Sequence, residues 1–126
     1  MKKEIIADKV NAAPQILSQA VEANGFVFVS GQVPIKLDGT MVETNVEDKL
    51  SQIMTNISSI LNVADMTMND IVKVTVYVTD LAQMPEINHY YPTYFTAPLP
   101  AREAICVAAL PLGATIELSV IAAMQT

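Results

Sequence analysis

One cysteine, one histidine and one arginine stand in a chain of 126 residues, and each scarcity closes off a class of structure or chemistry. With Cys106 alone, no intrachain disulfide forms. His89 has no second histidine and no cluster of Asp or Cys around it, which makes it a poor metal ligand or triad member, and no metal is expected. The opening Met-Lys-Lys-Glu-Ile-Ile-Ala-Asp lacks the apolar run of a secretory signal, so a cytoplasmic location is the expectation. No apolar run approaches the roughly 18 residues that a membrane-crossing helix needs.

Charge is scarce as well. Only 16% of residues are charged, and the formal net charge is −6. Nucleic-acid binding rests on neutralising several phosphates with a basic patch, which one arginine and six scattered lysines do not supply. An anionic membrane surface is disfavoured for the same reason. The chain is nevertheless 52% hydrophobic. Its length suits one domain over residues 1–126, and a domain of that size does not hide so much hydrocarbon inside itself. Part of it is therefore expected in a subunit interface.

The stretch Leu99 to Val107, Leu-Pro-Ala-Arg-Glu-Ala-Ile-Cys-Val, holds the lone arginine, Arg102. Lysines serve solubility elsewhere, so a single guanidinium in an apolar strand points to planar, bidentate recognition of a carboxylate or phosphate. Pro98 and Pro100 constrain the approach, and alternation from Ala101 to Ala109 predicts a half-buried or fully buried strand. Arg102, Ala104, Cys106 and Ala108 would then share one face, whose small residues leave room for a ligand. A structural ion pair accounts for a buried arginine equally well, and the residues alone leave both open.

Along the chain, strands are predicted over Lys3 to Ala7, Gln19 to Ala23 and Phe26 to Gly31, the last two joined by the hairpin signal Asn24-Gly25. Ser30-Gly31-Gln32 ends this strand, which simple termination explains most readily, a bulge or a close backbone approach being the alternatives. Pro34 to Met41 is a loop. A helix from Asn45 to Val63 carries Val46, Leu50, Ile53, Met54, Ile57, Ile60 and Leu61 at helical spacing, with Thr44 and Glu47 as its capping box and a solvated polar face that includes Asn56. Met66 and Met68 read as gap-fillers. Asp70 to Thr79 is a strand with Val72, Val74, Val76 and Val78 on one face. A second helix begins near Met84 with Pro85 in its first turn, carries Ile87, Asn88, His89, Tyr90, Tyr91, Tyr94 and Phe95, and is kinked or broken at Pro92. The last strand, Thr115 to Met124, holds Glu117 among uncharged residues, where desolvation would raise its pKa. The order β-β-β-α-β-α-β-β implies an α+β fold: one mixed sheet, both helices on one face, the other face uncovered. Three copies turning those faces toward a common axis would bury it.

Several pieces together resemble one family, the reactive intermediate deaminases of the RidA or YjgF group. They are Val29-Ser30-Gly31-Gln32-Val33-Pro34, Asp70 to Val78 with Asp80-Leu81, Asn88 with Tyr91 and Phe95, Pro100-Ala101-Arg102, and Leu110-Pro111 with Ile116-Glu117. Arg102 and Glu117 keep the family's separation of fifteen residues. The resemblance implies a chorismate-mutase-like fold, a homotrimer with a barrel-like core, and clefts between subunits. It also implies cofactor-free hydrolysis of 2-enamino and 2-imino acids to 2-oxo acids and ammonia. Arg102 would clamp the substrate carboxylate and Glu117 would orient or deprotonate the attacking water, with Ser30, Gly31 and Asn88 lining the pocket. Two positions depart from the family's pattern. Gln15-Ile16-Leu17 stands where Gly-Pro-Tyr is usual, and Ala104 replaces a thiol or hydroxyl. Other functions of the same clefts are a carboxylate-sensing trimer without turnover and the ribonuclease activity attributed to some relatives, the latter disfavoured by the acidic charge.

Overall fold

Alternating apolar residues build one sheet, and a single amphipathic helix covers most of it. The computed structural model describes residues 1–125. Its strands are β1 (Lys3–Ile5), β2 (Ala20–Ala23), β3 (Phe26–Gln32), β4 (Ile71–Val78), β5 (Ala101–Cys106) and β6 (Ile116–Ala123), with helices α1 (Val46–Val63) and α2 (Met84–Tyr90). The sheet order is β1-β2-β3-β6-β4-β5. Only β4 and β5 pair in parallel, which makes the sheet mixed. Val27, Val29, Val74, Val76, Val78, Ile116, Leu118 and Val120 face α1 and Ile87 of α2 in one core. Both helices therefore lie on one face of the sheet, as the element order implies. No helix among the described residues is long and apolar enough to cross a membrane.

The β2–β3 hairpin turns through Asn24 and Gly25 with φ of 53° and 80°, the two positive values that a type I′ turn requires. Helix α1 buries every residue of the predicted stripe. Its cap is displaced by one residue from the predicted box. Asn45 is extended and its side chain accepts from the Asp48 backbone N–H at 2.7 Å, while the Thr44 hydroxyl donates to the Asp48 carboxylate at 2.6 Å. Asparagine is the stronger N-cap of the two residue types, and its carboxamide oxygen takes the third amide. Asn56 is also not part of a solvated face. It is buried, donates to the Ile35 carbonyl at 2.9 Å and accepts from Gln52, tying α1 to the loop after β3. Met66 is buried and Met68 packs on the core, as gap-fillers do.

Three further expectations are corrected. Val72 does not join the buried valine face: the β4–β6 register shifts between Ile71 and Lys73, so Ile71 takes the core position and Val72 is exposed. Strand β5 is neither half-buried nor buried. It is the sheet's edge, and all six of its residues are exposed because nothing within one chain covers them. It also stops at Cys106, so Ala108 does not continue its face. At Pro92 the helix breaks and does not merely kink: α2 is seven residues long and the chain tightens into a single 3₁₀ turn, Tyr91–Tyr94, so Tyr94 and Phe95 lie outside the α-helix.

The cap assignment is open to a direct check. Asn45→Ala should cost about 1 kcal/mol in denaturant unfolding, whereas Thr44→Ala should cost less than about half of that, because only Asn45 satisfies a helical amide.

Candidate functional site

The register of the sheet decides where each candidate residue points. Residues paired across neighbouring strands share a face, and successive residues alternate. Arg102 pairs with Val74, Ala104 with Val76 and Cys106 with Val78, so all three lie on the helix-covered side. Glu117 pairs with Tyr77, one position out of phase, and so lies on the open side. Within one chain Arg102 and Glu117 therefore occupy opposite faces of the sheet, and they form no ion pair.

Arg102 is held by neutral groups. One terminal nitrogen of its guanidinium donates to Asn88 Oδ1 at 2.8 Å, and its carbon lies 4.9 Å from the centre of the Tyr91 ring. Both partners come from α2 and the turn after it, three residues apart and thus on one side of the helical path. The ion pair among the described residues is Lys73 with Glu103, across β4 and β5, and it does not involve Arg102. The internal salt bridge that would explain Arg102 structurally is absent from the described residues. Its guanidinium is exposed, positively charged and uncompensated, with donors left over in the planar fork that matches a carboxylate.

Glu117 sits in a niche made by a missing side chain. The register of β3 against β6 shifts between Val29 and Gln32, so Ser30-Gly31 forms a bulge within the strand and does not simply end it. A Cβ placed on Gly31 would collide with the Glu117 carboxylate, lying 2.8 Å from its Cδ and 3.3 Å from its Cγ. Glycine is thus required by close approach, not by its backbone angles. Burial pushes the Glu117 carboxyl above the ordinary carboxylate range, with no nearby cation to oppose it. The Ser30 hydroxyl donates to the Ser18 carbonyl at 2.7 Å, so its proton is committed and only its oxygen lone pairs remain. Leu17, next to Ser18, is exposed.

Ser30, Gly31 and Glu117 thus gather on β3 and β6, and Arg102 and Asn88 gather on β5 and α2. The chain does not join the two groups. His89 meets the Tyr90 ring edge-on at 4.8 Å and Cys106 is exposed at the end of β5, and neither touches either group. No cluster of three or more His, Cys, Asp or Glu among the described residues is arranged to hold a metal ion. Tyr91 is the functional neighbour that sequence reasoning gave no role. It is 5% exposed, its hydroxyl has no partner, and burial raises its pKa against the opposing charge of Arg102. The signal for it was its spacing from Asn88.

Comparison with known proteins identifies the family. The family model described as endoribonuclease L-PSP matches residues 9–124. Reactive Intermediate Deaminase A, chloroplastic, of Arabidopsis thaliana is 40% identical over 98% of this chain and 67% of its own. The 2-iminobutanoate/2-iminopropanoate deaminase of Mus musculus is 37% identical over 97% of this chain and 91% of its own. The crystal structure of yeast Mmf1 superposes with a TM-score of 0.95 at 34% identity, covering 99% of this chain and all of that one. Matched from near its start to near its end in sequence and in fold, the chain belongs to the endoribonuclease L-PSP family, the RidA and YjgF group.

Proposed function

We propose that this protein is a hydrolytic deaminase of reactive 2-imino and 2-enamino acids, working in clefts between the subunits of a homotrimer. The observation that carries this is the state of Arg102: the chain's only guanidinium, gripped by an amide and an aromatic ring, with no carboxylate of its own. A small 2-imino carboxylate is the anion that its free donors fit. The uncovered face of the sheet, where Phe26, Phe28 and Ile105 stand exposed, supplies the apolar surface for assembly. Since Arg102 and Glu117 face opposite ways within one chain, a neighbouring copy has to bring its Glu117 side to this chain's Arg102 side. The acidic charge and single arginine argue against RNA as the substrate.

The chemistry uses water and no cofactor. Arg102 holds the carboxylate of the iminium substrate. Glu117, ionised, takes a proton from a water molecule as its oxygen bonds to the iminium carbon and the C=N electron pair moves to nitrogen. The protonated carboxyl then passes that proton to the amine. The C–N bond breaks as the carbonyl forms, the hydroxyl proton passes by way of the Glu117 carboxylate to the departing ammonia, and a 2-oxo acid and ammonium leave. A carboxyl raised by burial is a stronger base than an exposed one, which suits proton removal from water near neutral pH.

In a coupled assay on freshly generated 2-iminobutyrate, Arg102→Lys should lose about 10- to 100-fold in kcat/KM because it keeps the charge but not the planar fork, and Arg102→Ala should lose more. Folded Arg102→Ala that turns over at the wild-type rate would sink the site. Glu117→Gln should lose kcat while still binding 2-oxobutyrate. The wild-type rate should fall as pH drops through the raised Glu117 pKa, since the base is then protonated, and Glu117→Gln should lack that acidic limb. Binding of 2-oxobutyrate with no ammonia released by the wild type would make the protein a sensor instead.

Assembly and the Gly31 niche have their own checks. Sedimentation equilibrium should give three times the 13.6 kDa chain mass, and a stable monomer at micromolar concentration would remove the cleft. Gly31→Ala should fold normally, because the group it displaces is the mobile end of Glu117, yet it should lose at least about tenfold in kcat by moving the carboxylate. Wild-type turnover in Gly31→Ala would show that the position of that carboxylate is unimportant.

A further inference from the structure

Two contacts orient the Arg102 guanidinium, and they control different motions. The Asn88 oxygen accepts in the guanidinium plane at 2.8 Å, which fixes rotation within that plane. The guanidinium carbon lies over the Tyr91 ring, 4.9 Å from its centre, a contact that restrains the tilt of the plane. A carboxylate binds bidentately only in that plane, so a guanidinium free to tilt would present its fork at the wrong angle. Tyr91 is itself immobilised. It is 5% exposed, and the Phe95 ring contacts it at 4.9 Å with a 47° tilt. Its hydroxyl is buried and finds no hydrogen-bond partner. The contacts that the structure gives this side chain are those of its ring, with the Arg102 guanidinium and with Phe95.

We propose that Tyr91 is a positioning residue for carboxylate recognition: its ring, seated on the break that Pro92 imposes after α2, holds the Arg102 guanidinium in the plane in which an incoming carboxylate is clamped. This rests on the reading of Arg102 as the carboxylate clamp. It goes beyond that reading by placing the determinant of the clamp's geometry on a residue that need not touch the substrate. Orientation of a binding group, with the attacking water handled elsewhere, acts on substrate capture and leaves the chemical step alone.

Because Arg102 is the only arginine, a nitrogen-labelled sample gives one arginine Nε–Hε correlation, which reports its order and the ring current of Tyr91 without any need for turnover. Three forms of the assembled protein are compared: wild type, Tyr91→Phe, which keeps the ring, and Tyr91→Met, a flexible apolar filler that removes it. In Tyr91→Phe the correlation and the KM should stay near the wild-type values, and the melting temperature should not fall, since only an unpartnered hydroxyl is lost. In Tyr91→Met the correlation should move toward that of a free, mobile arginine, and KM for 2-iminobutyrate should rise about tenfold with kcat within about twofold. The dissociation constant of 2-oxobutyrate should weaken in parallel.

Should Tyr91→Met fail to assemble, phenylalanines bearing increasing numbers of ring fluorines at position 91 keep the shape while draining charge from the ring face. KM should then climb with fluorination. Impairment of Tyr91→Phe to the level of Tyr91→Met would assign the effect to the hydroxyl and overturn the proposal. So would an unchanged correlation and KM in Tyr91→Met, or a flat fluorine series. If the wild type shows no deaminase turnover, the deaminase reading fails by itself, while the correlation and the 2-oxobutyrate affinity still decide the role of Tyr91.

Discussion

The period-two alternation of a β-sheet is the constraint on which the rest of this molecule depends. Register places Arg102 beside Val74 and Glu117 beside Tyr77, and that phase difference of one residue sends the two charged groups to opposite faces. Neither can neutralise the other inside the chain. The guanidinium remains a free cation on the helix side of an edge strand, and the carboxylate remains a partly desolvated base on the open side. Only the carboxylate carries a desolvation cost, since the guanidinium is exposed; an open cation suits anion capture, and a desolvated carboxylate suits proton removal.

Local irregularities then tune each half. A bulge in β3 removes one ladder position and puts a residue without a side chain against Glu117, so the carboxylate lies where a Cβ would otherwise stand. On the other half, Pro92 ends α2 after seven residues, and the turn that follows carries Tyr91 under the guanidinium while Asn88 meets it edge-on. Tyr91 is also a core residue, so its ring serves the packing and the guanidinium together. The stability of the fold comes from α1 and the valine-rich faces of β3, β4 and β6, which leaves the strained and unpaired groups at the edge and on the open face.

Assembly would link the two halves. An edge strand exposed along its whole length, and an apolar face with exposed Phe26 and Phe28, are liabilities in a lone chain. A trimer in which each open face meets a neighbour would remove the liability and complete the site in one step. Activity would then depend on oligomerisation, and residues far from any substrate, such as Phe28, would influence rate through the integrity of the cleft.

Much of this was legible from residues alone, wherever the determinant is local. The Asn24-Gly25 turn, the stripe on α1 and the break at Pro92 each follow from the backbone preferences of neighbouring residues, and a lone arginine announces itself by composition. Where contacts between distant segments decide the outcome, the sequence was silent or misleading. The burial of Asn56 depends on a carbonyl at Ile35, and the exclusion of Val72 from the core depends on a register shift against β6. The exposure of β5 depends on its place at the sheet's edge, which its alternating apolar pattern does not encode. Sequence by itself determined the secondary elements, the family and the identity of Arg102 and Glu117 as the charged pair to watch, because these rest on local preference and residue chemistry. Only the tertiary structure decided that the pair is split across the sheet and that Tyr91 underlies the guanidinium, because strand register and helix placement are set by packing among segments far apart in the chain.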